Sequence, residues 1–294
     1  DHLPFEICIR GVRHQMLPSF LVIGAMKAGT TSLFHYLDEH PEVYVHPRKE
    51  LAYFAWPEKD RNPSAYEAFF RNAPVGSFCG DVSTQYAKFP MFLGVPERIA
   101  QMIPDVRIIY MVRNPIRRAI SHYHHEVLIG NSPGPIDTAL VSNSHYVDFS
   151  RYRMQLAQYE PYFDKSQILV VFLEELQENP LPVLSAVFDH IGCDRDFVPR
   201  SLGLRANVSQ SRVVLTPVIR RIQRNSLYRR VQYRLPRGLK EGVVQCLGGN
   251  APPADSPRAE TLEWLGKQLA SDAAQLSDYL ERPDLLWRDE LLRG

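Results

Sequence analysis

Three short apolar runs, each followed by a helical pattern, divide the first two thirds of the chain. The runs are Phe20–Ile23, Val106–Val112 and Gln167–Leu173, and their continuity predicts buried strands. Apolar residues spaced for a helix follow the three runs, over 33–37, 116–128 and 175–191. Strands that alternate with helices indicate an α/β fold: a P-loop-like parallel sheet flanked by helices, in a single domain.

The segments between these units predict shorter elements. Residues 42–46 alternate as in a strand, and residues 80–86 are typical of a strand end or a loop. Residues 96–103 and 151–163 have helical patterns. The stretch 129–147 is rich in Gly, Pro, Ser and Asn, which predicts a long surface loop.

The last third of the chain is basic and helical in pattern. Residues 212–240 contain nine Arg or Lys and no acid, within a basic helical segment predicted over 212–250. Three interpretations stay open: a solvated helical face, a groove for an anionic acceptor, and docking on a membrane surface. Residues 259–294 predict a C-terminal helix, amphipathic over Ala259–Leu280.

Composition and charge narrow the classes of partner. The chain has 294 residues, 45% of them hydrophobic, and a net charge of +1. A chain of this length and hydrophobic content can form one large core. Its small net charge produces no overall electrostatic field that would favour binding to nucleic acid. We predict a lead-in over 1–18 and one domain over 19–294. No run of about 18 apolar residues occurs, so no transmembrane helix is predicted.

The first residue and the cysteines bear on the compartment. The chain begins with Asp1 and lacks the pattern of a signal peptide, while a trimmed N-terminal anchor stays open. Its four cysteines are far apart and lack metal-site spacing. Sparse cysteines fit a reducing compartment. We predict a cytoplasmic protein, with the Golgi lumen, reached through a trimmed anchor, as the alternative.

The loop after the first strand carries the clearest chemistry. It runs over Gly24–Gly29, contains Lys27, and leads into the hydroxyl residues Thr30–Ser32 at the start of a helix. A helix N-terminus presents unpaired N–H groups and the positive end of the dipole, and glycine lets the backbone approach an oxyanion. Lys27 adds a mobile charge. These residues predict a site for a phosphate-like group.

This loop differs from that of a nucleotide triphosphatase. There, lysine directly precedes the hydroxyl residue, whereas here Thr30 occupies that place and Lys27 lies earlier. A triphosphatase also uses an acid after a later strand to hold Mg²⁺. Here Arg113 follows the second strand. We therefore predict a second anion site in that place and no metal.

The segment after the second strand is this second candidate anion site. Arg113 lies at the edge where open α/β sheets bind ligands, and Ser121 lies two turns along the next helix. An arginine and a hydroxyl can bind one phosphate together. His122, His124 and His125 share the helix. We interpret them as polar surface or pocket rim, because no further ligand has metal-site spacing.

The two motifs together resemble those of the sulfotransferases that use 3′-phosphoadenosine 5′-phosphosulfate (PAPS). Lys27 with Thr30–Thr31 is similar to the family's 5′-phosphosulfate motif. Arg113 with Ser121 is similar to its 3′-phosphate motif, RNPxxRxxSxY. The likeness covers about residues 18–195 well and the rest of the chain loosely, and the chain resembles the bacterial and heparan-sulfate-type members of the family.

The resemblance implies transfer of a sulfuryl group from PAPS to an acceptor hydroxyl, with no metal required. The implied acceptor is a carbohydrate, or an acyl chain on a carrier protein. Lys27 would neutralise the leaving oxygen, Tyr152 would lie near the adenine or else in the core, and Arg212 would reach the 3′-phosphate. The residues implied to bind the cofactor are Lys27, Ala28, Gly29, Thr30, Thr31, Ser32, Arg113, Ser121, Tyr152, Ser209 and Arg212.

The resemblance also implies a catalytic base. Glu50, in the segment KELAYF at 49–54, matches a KExxFF-like segment of the family and would take the acceptor's proton, with His46 as the alternative. Aromatic neighbours such as Tyr53 and Phe54 would disfavour a charged carboxylate and strengthen the base.

Two positions depart from the family's pattern. Ala52 stands where many members have histidine, and Val82 stands where the family's GEKSPxY segment has lysine. We expect Lys49 or Lys88 to take over any role that this lysine has in other members of the family. We expect Ser83 to line the site.

Two other functions stay open on the sequence alone. The glycine-containing loop also suits a metal-dependent P-loop kinase or triphosphatase, which predicts ATP hydrolysis with Mg²⁺. The basic stretch 212–240 suits a non-catalytic module that binds a nucleotide or a polyanion, which predicts binding with a steep salt dependence.

Overall fold

The structure, a computed structural model, describes residues 17–57, 61–203, 255–283 and Trp287. Ser209, Arg212, the basic segment 212–250 and most of the lead-in 1–18 lie outside the described residues, so the predictions made for them stay predictions.

Five parallel strands form one sheet in the order β2-β3-β1-β4-β5. The strands are β1 (Phe20–Gly24), β2 (Val43–Val45), β3 (Phe78–Val82), β4 (Arg107–Val112) and β5 (Ile168–Phe172). After β1 the chain forms β2 and β3 on one side and then β4 on the other. The switch point between β1 and β4 is where open α/β sheets bind ligands. The predicted parallel sheet is confirmed.

Helices flank this sheet. In chain order they are α1 (Thr30–Glu39), α2 (Pro63–Glu67), α3 (Val95–Met102), α4 (Pro115–Leu128), α5 (Ile136–Ser142), α6 (His145–Asp148), α7 (Tyr152–Ala157), α8 (Leu173–Glu178), α9 (Pro180–Ile191) and α10 (Ala259–Leu280). Within the described part of the chain, no helix combines the length and the apolar character needed to cross a bilayer.

The central strand β1 is completely enclosed by the core. Every residue of its apolar run Phe20–Ile23 is 0% exposed, as expected for a strand covered on both faces. Gly80 on the neighbouring strand β3 is part of this packing, because a Cβ there would lie 2.0 Å from Phe20 Cζ. A larger residue at position 80 would push β3 away from β1.

The last helix, α10, holds α7 and the segment around it in place. Both carboxylate oxygens of Asp272 accept hydrogen bonds at the start of α7, from Arg153 N at 3.0 Å and Met154 N at 2.9 Å. Beyond α10, the ring of Trp287 lies 6.0 Å from that of Tyr152 and 5.9 Å from that of Phe172. The C-terminal part of the chain therefore packs behind β4 and β5.

Residues 80–86, predicted as a strand end or a loop, do include the end of a strand, because β3 runs over Phe78–Val82. Two other predicted segments differ from the structure. The predicted surface loop 129–147 contains α5 and α6, because apolar residues such as Ile136 pack into the core between its polar positions. The helix predicted over 259–294 ends at Leu280, where Glu281 adopts a left-handed conformation with φ 56°.

Candidate functional site

A cavity of about 860 Å³ opens at the carboxyl edge of the sheet, between the loops that follow β1 and β4. It is lined by Met26, Lys27, Gly29, Thr30, Thr31, Ser32, Lys49, Glu50, Thr84, Gln85, Lys88, Arg113, Arg117, Ile120, Ser121, His124, His125, Leu173 and Gln177. Five of these described residues are Lys or Arg, and one is acidic. The balance of charge favours an anionic ligand.

The loop between β1 and α1 presents a helix N-terminus to this cavity. Gly29, with φ 87°, is the N-cap of α1, and no side chain caps the helix at this position. A Cβ on residue 29 would lie 2.5 Å from Leu173 Cδ1, so glycine is required both for its conformation and for its size. The first-turn N–H groups are oriented as in anion sites at helix N-termini.

Two of the predicted backbone donors are used inside the loop itself. Ala28 N donates to Ala25 O at 3.1 Å, and Ser32 N donates to Gly29 O at 2.9 Å. Ala28 is 0% exposed, whereas Ser32 still lines the cavity. Of the predicted backbone donors, those of Gly29, Thr30 and Thr31 therefore remain for a ligand.

Arg113 connects the two predicted motifs. Its Nη1 donates to Lys27 O at 3.1 Å, so the loops after β1 and β4 meet across the switch point. Its Nε is buried and has no hydrogen-bond partner within the described residues. Burial lowers the pKa of this guanidinium. A half-buried guanidinium at the wall of a cavity, with one buried N–H that lacks a partner among the described residues, is suited to bind an anion.

Tyr152 lies behind Arg113 rather than in the cavity. Its hydroxyl donates to Arg113 O at 2.8 Å and accepts from Arg113 N at 3.4 Å. The side chain is 1% exposed and packs edge-on against Tyr110. Tyr152 therefore lies in the core, which is one of the two positions that the sequence left open for it. It supports the backbone of Arg113 and is not among the residues that line the cavity.

The role of Arg118 was missed in the sequence. This guanidinium is 0% exposed, and burial lowers its pKa to about 10. It donates to Ser150 Oγ at 2.6 Å, to Tyr146 O at 2.8 Å and to Met26 O at 3.5 Å. Arg118 thus ties α4 to the loop after β1. The only signal for it was its place as the inner arginine of the RNPxxRxxSxY motif.

The three histidines of α4 differ in environment. His124 and His125 line the cavity, in line with a pocket rim. His122 is 6% exposed, stacks on Phe149 and lies edge-on to Tyr146, and burial lowers its pKa to about 2. The prediction of a polar surface or rim position is wrong for His122, because α6 and Phe149 cover this side of α4. Among the described residues, no group of three or more His, Cys, Asp or Glu could hold a metal ion.

Glu50 is held at the edge of the cavity by the segment that follows β3. Its Oε2 accepts from Thr84 N at 2.7 Å and from Thr84 Oγ1 at 3.0 Å. Its backbone N donates to Val82 O at 3.0 Å. These bonds fix a residue with φ 64°, a left-handed conformation that costs about 1–2 kcal/mol for a side chain with a Cβ. The side chain remains 32% exposed and lines the cavity, so a molecule in the cavity can reach it.

The aromatic residues after Glu50 point away from it. Tyr53 stacks on Tyr66 with ring centroids 4.2 Å apart, and Phe54 lies edge-on to the same ring at 5.4 Å. The expectation that Tyr53 and Phe54 surround the carboxylate is wrong. The chain turns at Ala52, with φ 56°, and sends both rings into the core. Hydrogen-bond donors surround the carboxylate instead.

His46, the alternative base, lies elsewhere. Its ring is 4.8 Å from that of Phe69, and its Nδ1 accepts from Arg48 N at 3.0 Å. Burial lowers its pKa. It is not among the residues that line the cavity. Of the two candidate bases, Glu50 is therefore the one that shares a cavity with Lys27 and Arg113.

A comparison with family models covers most of the described fold. The model of the sulfotransferase domain matches residues 17–204. The chain belongs to the sulfotransferase family. The match spans the five strands, the loop with Lys27 and the segment with Arg113, so the resemblance inferred from these motifs is confirmed.

Relatives of this sulfotransferase chain include heparan sulfate enzymes. The chain is 28% identical over 201 residues to the human bifunctional heparan sulfate N-deacetylase/N-sulfotransferase 2, covering 60% of this chain and 22% of that protein. It is 28% identical over 200 residues to the human heparan sulfate glucosamine 3-O-sulfotransferase 6, covering 63% of this chain and 55% of that protein. The chain thus spans about a fifth to about half of the length of these relatives.

A solved structure has the same fold over nearly the whole chain. The crystal structure of a sulfotransferase from Alicyclobacillus acidocaldarius matches with a TM-score of 0.67 and 23% sequence identity. The match covers 93% of this chain and 99% of that one. This likeness supports the parallel sheet flanked by helices as a sulfotransferase fold.

In this sulfotransferase domain, a buried polar cluster lies behind the candidate base. Asp81 accepts hydrogen bonds from Ser83 Oγ at 2.6 Å, Tyr86 OH at 2.6 Å and Tyr66 OH at 3.0 Å. Ser83 Oγ in turn accepts from Ala52 N at 2.9 Å. Ser83 is 0% exposed, so the expectation that it lines the site is wrong. The cluster fastens the segment that carries the base to β3.

We expect the Asp81 cluster to make stability depend on pH. Burial raises the pKa of Asp81 from 3.8 to about 6, so the folded state binds this proton more tightly than the unfolded state. The contribution to stability therefore falls as pH rises from about 4 to about 6 and stays low above that. Relative to Asp81→Asn, the wild type should lose about 1–2 kcal/mol of unfolding free energy between about pH 5 and about pH 7.5, measured by urea denaturation.

The exposed Asp105→Asn is the matched control for this measurement, since the same change is made on the surface before β4. Its stability difference from the wild type should be the same at both pH values. A difference between wild type and Asp81→Asn that is constant across this range would mean that Asp81 stays ionised in the folded state.

Proposed function

We propose that this sulfotransferase domain transfers a sulfuryl group from PAPS to the hydroxyl of an acceptor. The observation that carries the proposal is the hydrogen bond from Arg113 Nη1 to Lys27 O, which joins two anion-binding motifs in one cavity. One motif suits the 5′ end of a nucleotide and the other suits its 3′-phosphate.

The charge and the size of the cavity suit a nucleotide with anionic groups at both ends. Five basic side chains and one carboxylate line a space of about 860 Å³, within the usual range for small-molecule sites. The unpaired Nε of Arg113, together with the hydroxyl of Ser121 on the next helix, provides donors for a 3′-phosphate. The α1 N-terminus provides donors for a 5′-phosphosulfate.

The residues of the cavity supply charge stabilisation and a base. When bound, PAPS supplies the sulfuryl group: its S–O bond to the 5′-phosphate breaks, a new S–O bond to the acceptor oxygen forms, and the bonding electrons leave with adenosine 3′,5′-bisphosphate. Glu50 accepts the proton of the acceptor hydroxyl. Lys27 and the first-turn N–H groups of α1 offset the negative charge that grows on the leaving oxygen.

The acceptor we propose carries its hydroxyl on a carbohydrate or on an acyl chain attached to a carrier protein. The names of two relatives refer to heparan sulfate, which supports the carbohydrate. A screen that incubates the protein with PAPS and each class of acceptor, and measures adenosine 3′,5′-bisphosphate released, would separate the two.

Adenosine 3′,5′-bisphosphate is expected to stabilise the protein by itself. A ligand at about 100 times its Kd adds about 2.7 kcal/mol to the unfolding free energy. For a chain of this size that corresponds to a rise in Tm of about 5 °C or more. Differential scanning fluorimetry checks this, with and without Mg²⁺, and Mg²⁺ should add nothing.

The two alternative functions predict different results with these and related ligands. A kinase or triphosphatase would instead be stabilised by ATP with Mg²⁺ and would hydrolyse it. A polyanion-binding module would bind an acidic polymer with a steep salt dependence and release no bisphosphate from PAPS. No change in Tm at millimolar bisphosphate would count against the proposed donor.

A further inference from the structure

Lys49 lies between the α1 N-terminus and the candidate base. Its Nζ donates to Thr30 Oγ1 at 3.1 Å and to Thr31 Oγ1 at 2.9 Å, and lies 3.8 Å from Glu50 Oε1. The two hydroxyls belong to the first turn of α1, where the 5′ end of the donor is proposed to bind. The ammonium of Lys49 thus lies between the proposed site for the 5′ end of PAPS and the proposed base, Glu50.

The ammonium of Lys49 is available for an anion. The side chain is 19% exposed and lines the cavity, and burial lowers its pKa. Its hydrogen bonds to Thr30 and Thr31 are made to neutral oxygens, and its distance to Glu50 exceeds that of a hydrogen bond. An ammonium has three donors, so an anionic oxygen in the cavity can accept from the third.

Lys88, the other lysine on this side, is directed differently. It also lines the cavity, but its Nζ lies 5.7 Å from the ring centroid of Phe149, on the wall formed next to α6. No lysine is available at the end of β3, where Val82 is 3% exposed and apolar. Of Lys49 and Lys88, Lys49 is therefore the one whose ammonium contacts the first turn of α1.

We propose that Lys49 binds the non-bridging oxygens of the sulfuryl group and positions that group toward Glu50. This inference rests on the proposed function, because it requires PAPS as the donor. It separates the roles of two lysines: Lys27 acts on the oxygen that leaves with the bisphosphate, and Lys49 acts on the group that is transferred.

The test compares the affinities of two ligands that differ by the sulfuryl group. PAPS and adenosine 3′,5′-bisphosphate both carry about two negative charges at the 5′ end. A general loss of positive charge therefore weakens both alike, whereas the loss of a contact to the sulfuryl group weakens only PAPS. Calorimetric titration of Lys49→Met at low temperature, without acceptor, should give a PAPS affinity lowered about tenfold or more relative to that of the bisphosphate.

Two variants serve as comparisons in the same titration. Lys267→Met makes the same chemical change on the exposed face of α10, where the side chain is 67% exposed, and should leave both affinities unchanged. Lys88→Met changes the other lysine of the cavity and should lower the two affinities by equal factors. A selective loss of PAPS affinity in Lys88→Met, with none in Lys49→Met, would assign the contact to Lys88.

The outcomes separate this inference from the proposed function. Equal weakening of both ligands by Lys49→Met overturns the inference and leaves PAPS as the donor. Unchanged binding of both ligands overturns it as well. If the wild type binds neither ligand, the proposed function fails before the role of Lys49 is reached.

Discussion

Replacing Lys27 with alanine is expected to lower kcat for sulfuryl transfer about 10²–10³-fold, the usual loss when one contact to a developing negative charge is removed. Lys27 lines the cavity at φ 71°, and Arg113 Nη1 holds its carbonyl. Alanine also has a Cβ, so the left-handed backbone conformation costs about as much as in the wild type, while the ammonium and the methylene chain that carries it are lost. The measurement is bisphosphate released from PAPS with an acceptor found by the screen.

The matched control for Lys27→Ala is Lys267→Ala on the exposed face of α10. Its ion pair with Glu263 lies on the surface, where such pairs contribute about 0–1 kcal/mol, so kcat and Tm should stay at wild-type values. If Lys27→Ala bound the bisphosphate and kept full kcat, another residue of the cavity would have to neutralise the leaving oxygen.

The strands at the centre of the sheet were predictable because burial leaves a simple pattern. Residues of β1 and β4 are covered on both faces and form continuous apolar runs, which the sequence displays directly. Only the end of β3 was predicted, as one of two alternatives for residues 80–86, because its sequence FCGDV contains Gly80 and Asp81, both of which are uncommon in strands. Gly80 is needed there for the ring of Phe20, which lies far earlier in the chain, and Asp81 for the buried cluster with Ser83, Tyr86 and Tyr66.

The candidate site was predictable where local motif and sheet topology agree. Lys27 and Arg113 follow β1 and β4, and the carboxyl ends of neighbouring parallel strands bring them to one edge. Glu50 was placed by resemblance alone, and it lies in the same cavity. The roles of Tyr152 and Arg118 depend on contacts between segments far apart in the chain, which periodicity and spacing do not encode.

The segment around Glu50 illustrates how packing decides the environment of a site residue. The sequence places two aromatic residues shortly after it, yet a left-handed turn at Ala52 directs both into the core. The carboxylate is left facing Thr84 and Lys49. These contacts fix the position of the carboxylate at the edge of the cavity.

Replacing Glu50 with glutamine is expected to lower kcat about 10²–10⁴-fold, the usual weight of a general base. Glutamine keeps a carbonyl oxygen that can accept from Thr84 N and Thr84 Oγ1, so the geometry of the segment is retained while the proton acceptor is lost. Affinity for adenosine 3′,5′-bisphosphate should stay within a factor of about three, because the contacts proposed for the bisphosphate lie on the loops after β1 and β4 and do not involve Glu50.

The matched control is Glu263→Gln on α10, where the side chain is 50% exposed, and it should turn over at the wild-type rate. Measuring kcat and bisphosphate affinity on the same preparations separates loss of the base from loss of the fold, since a misfolded variant would lose both. Wild-type kcat in Glu50→Gln would move the base to another titratable group of the cavity. His124 and His125 on α4 line the same space and would be the next residues to replace.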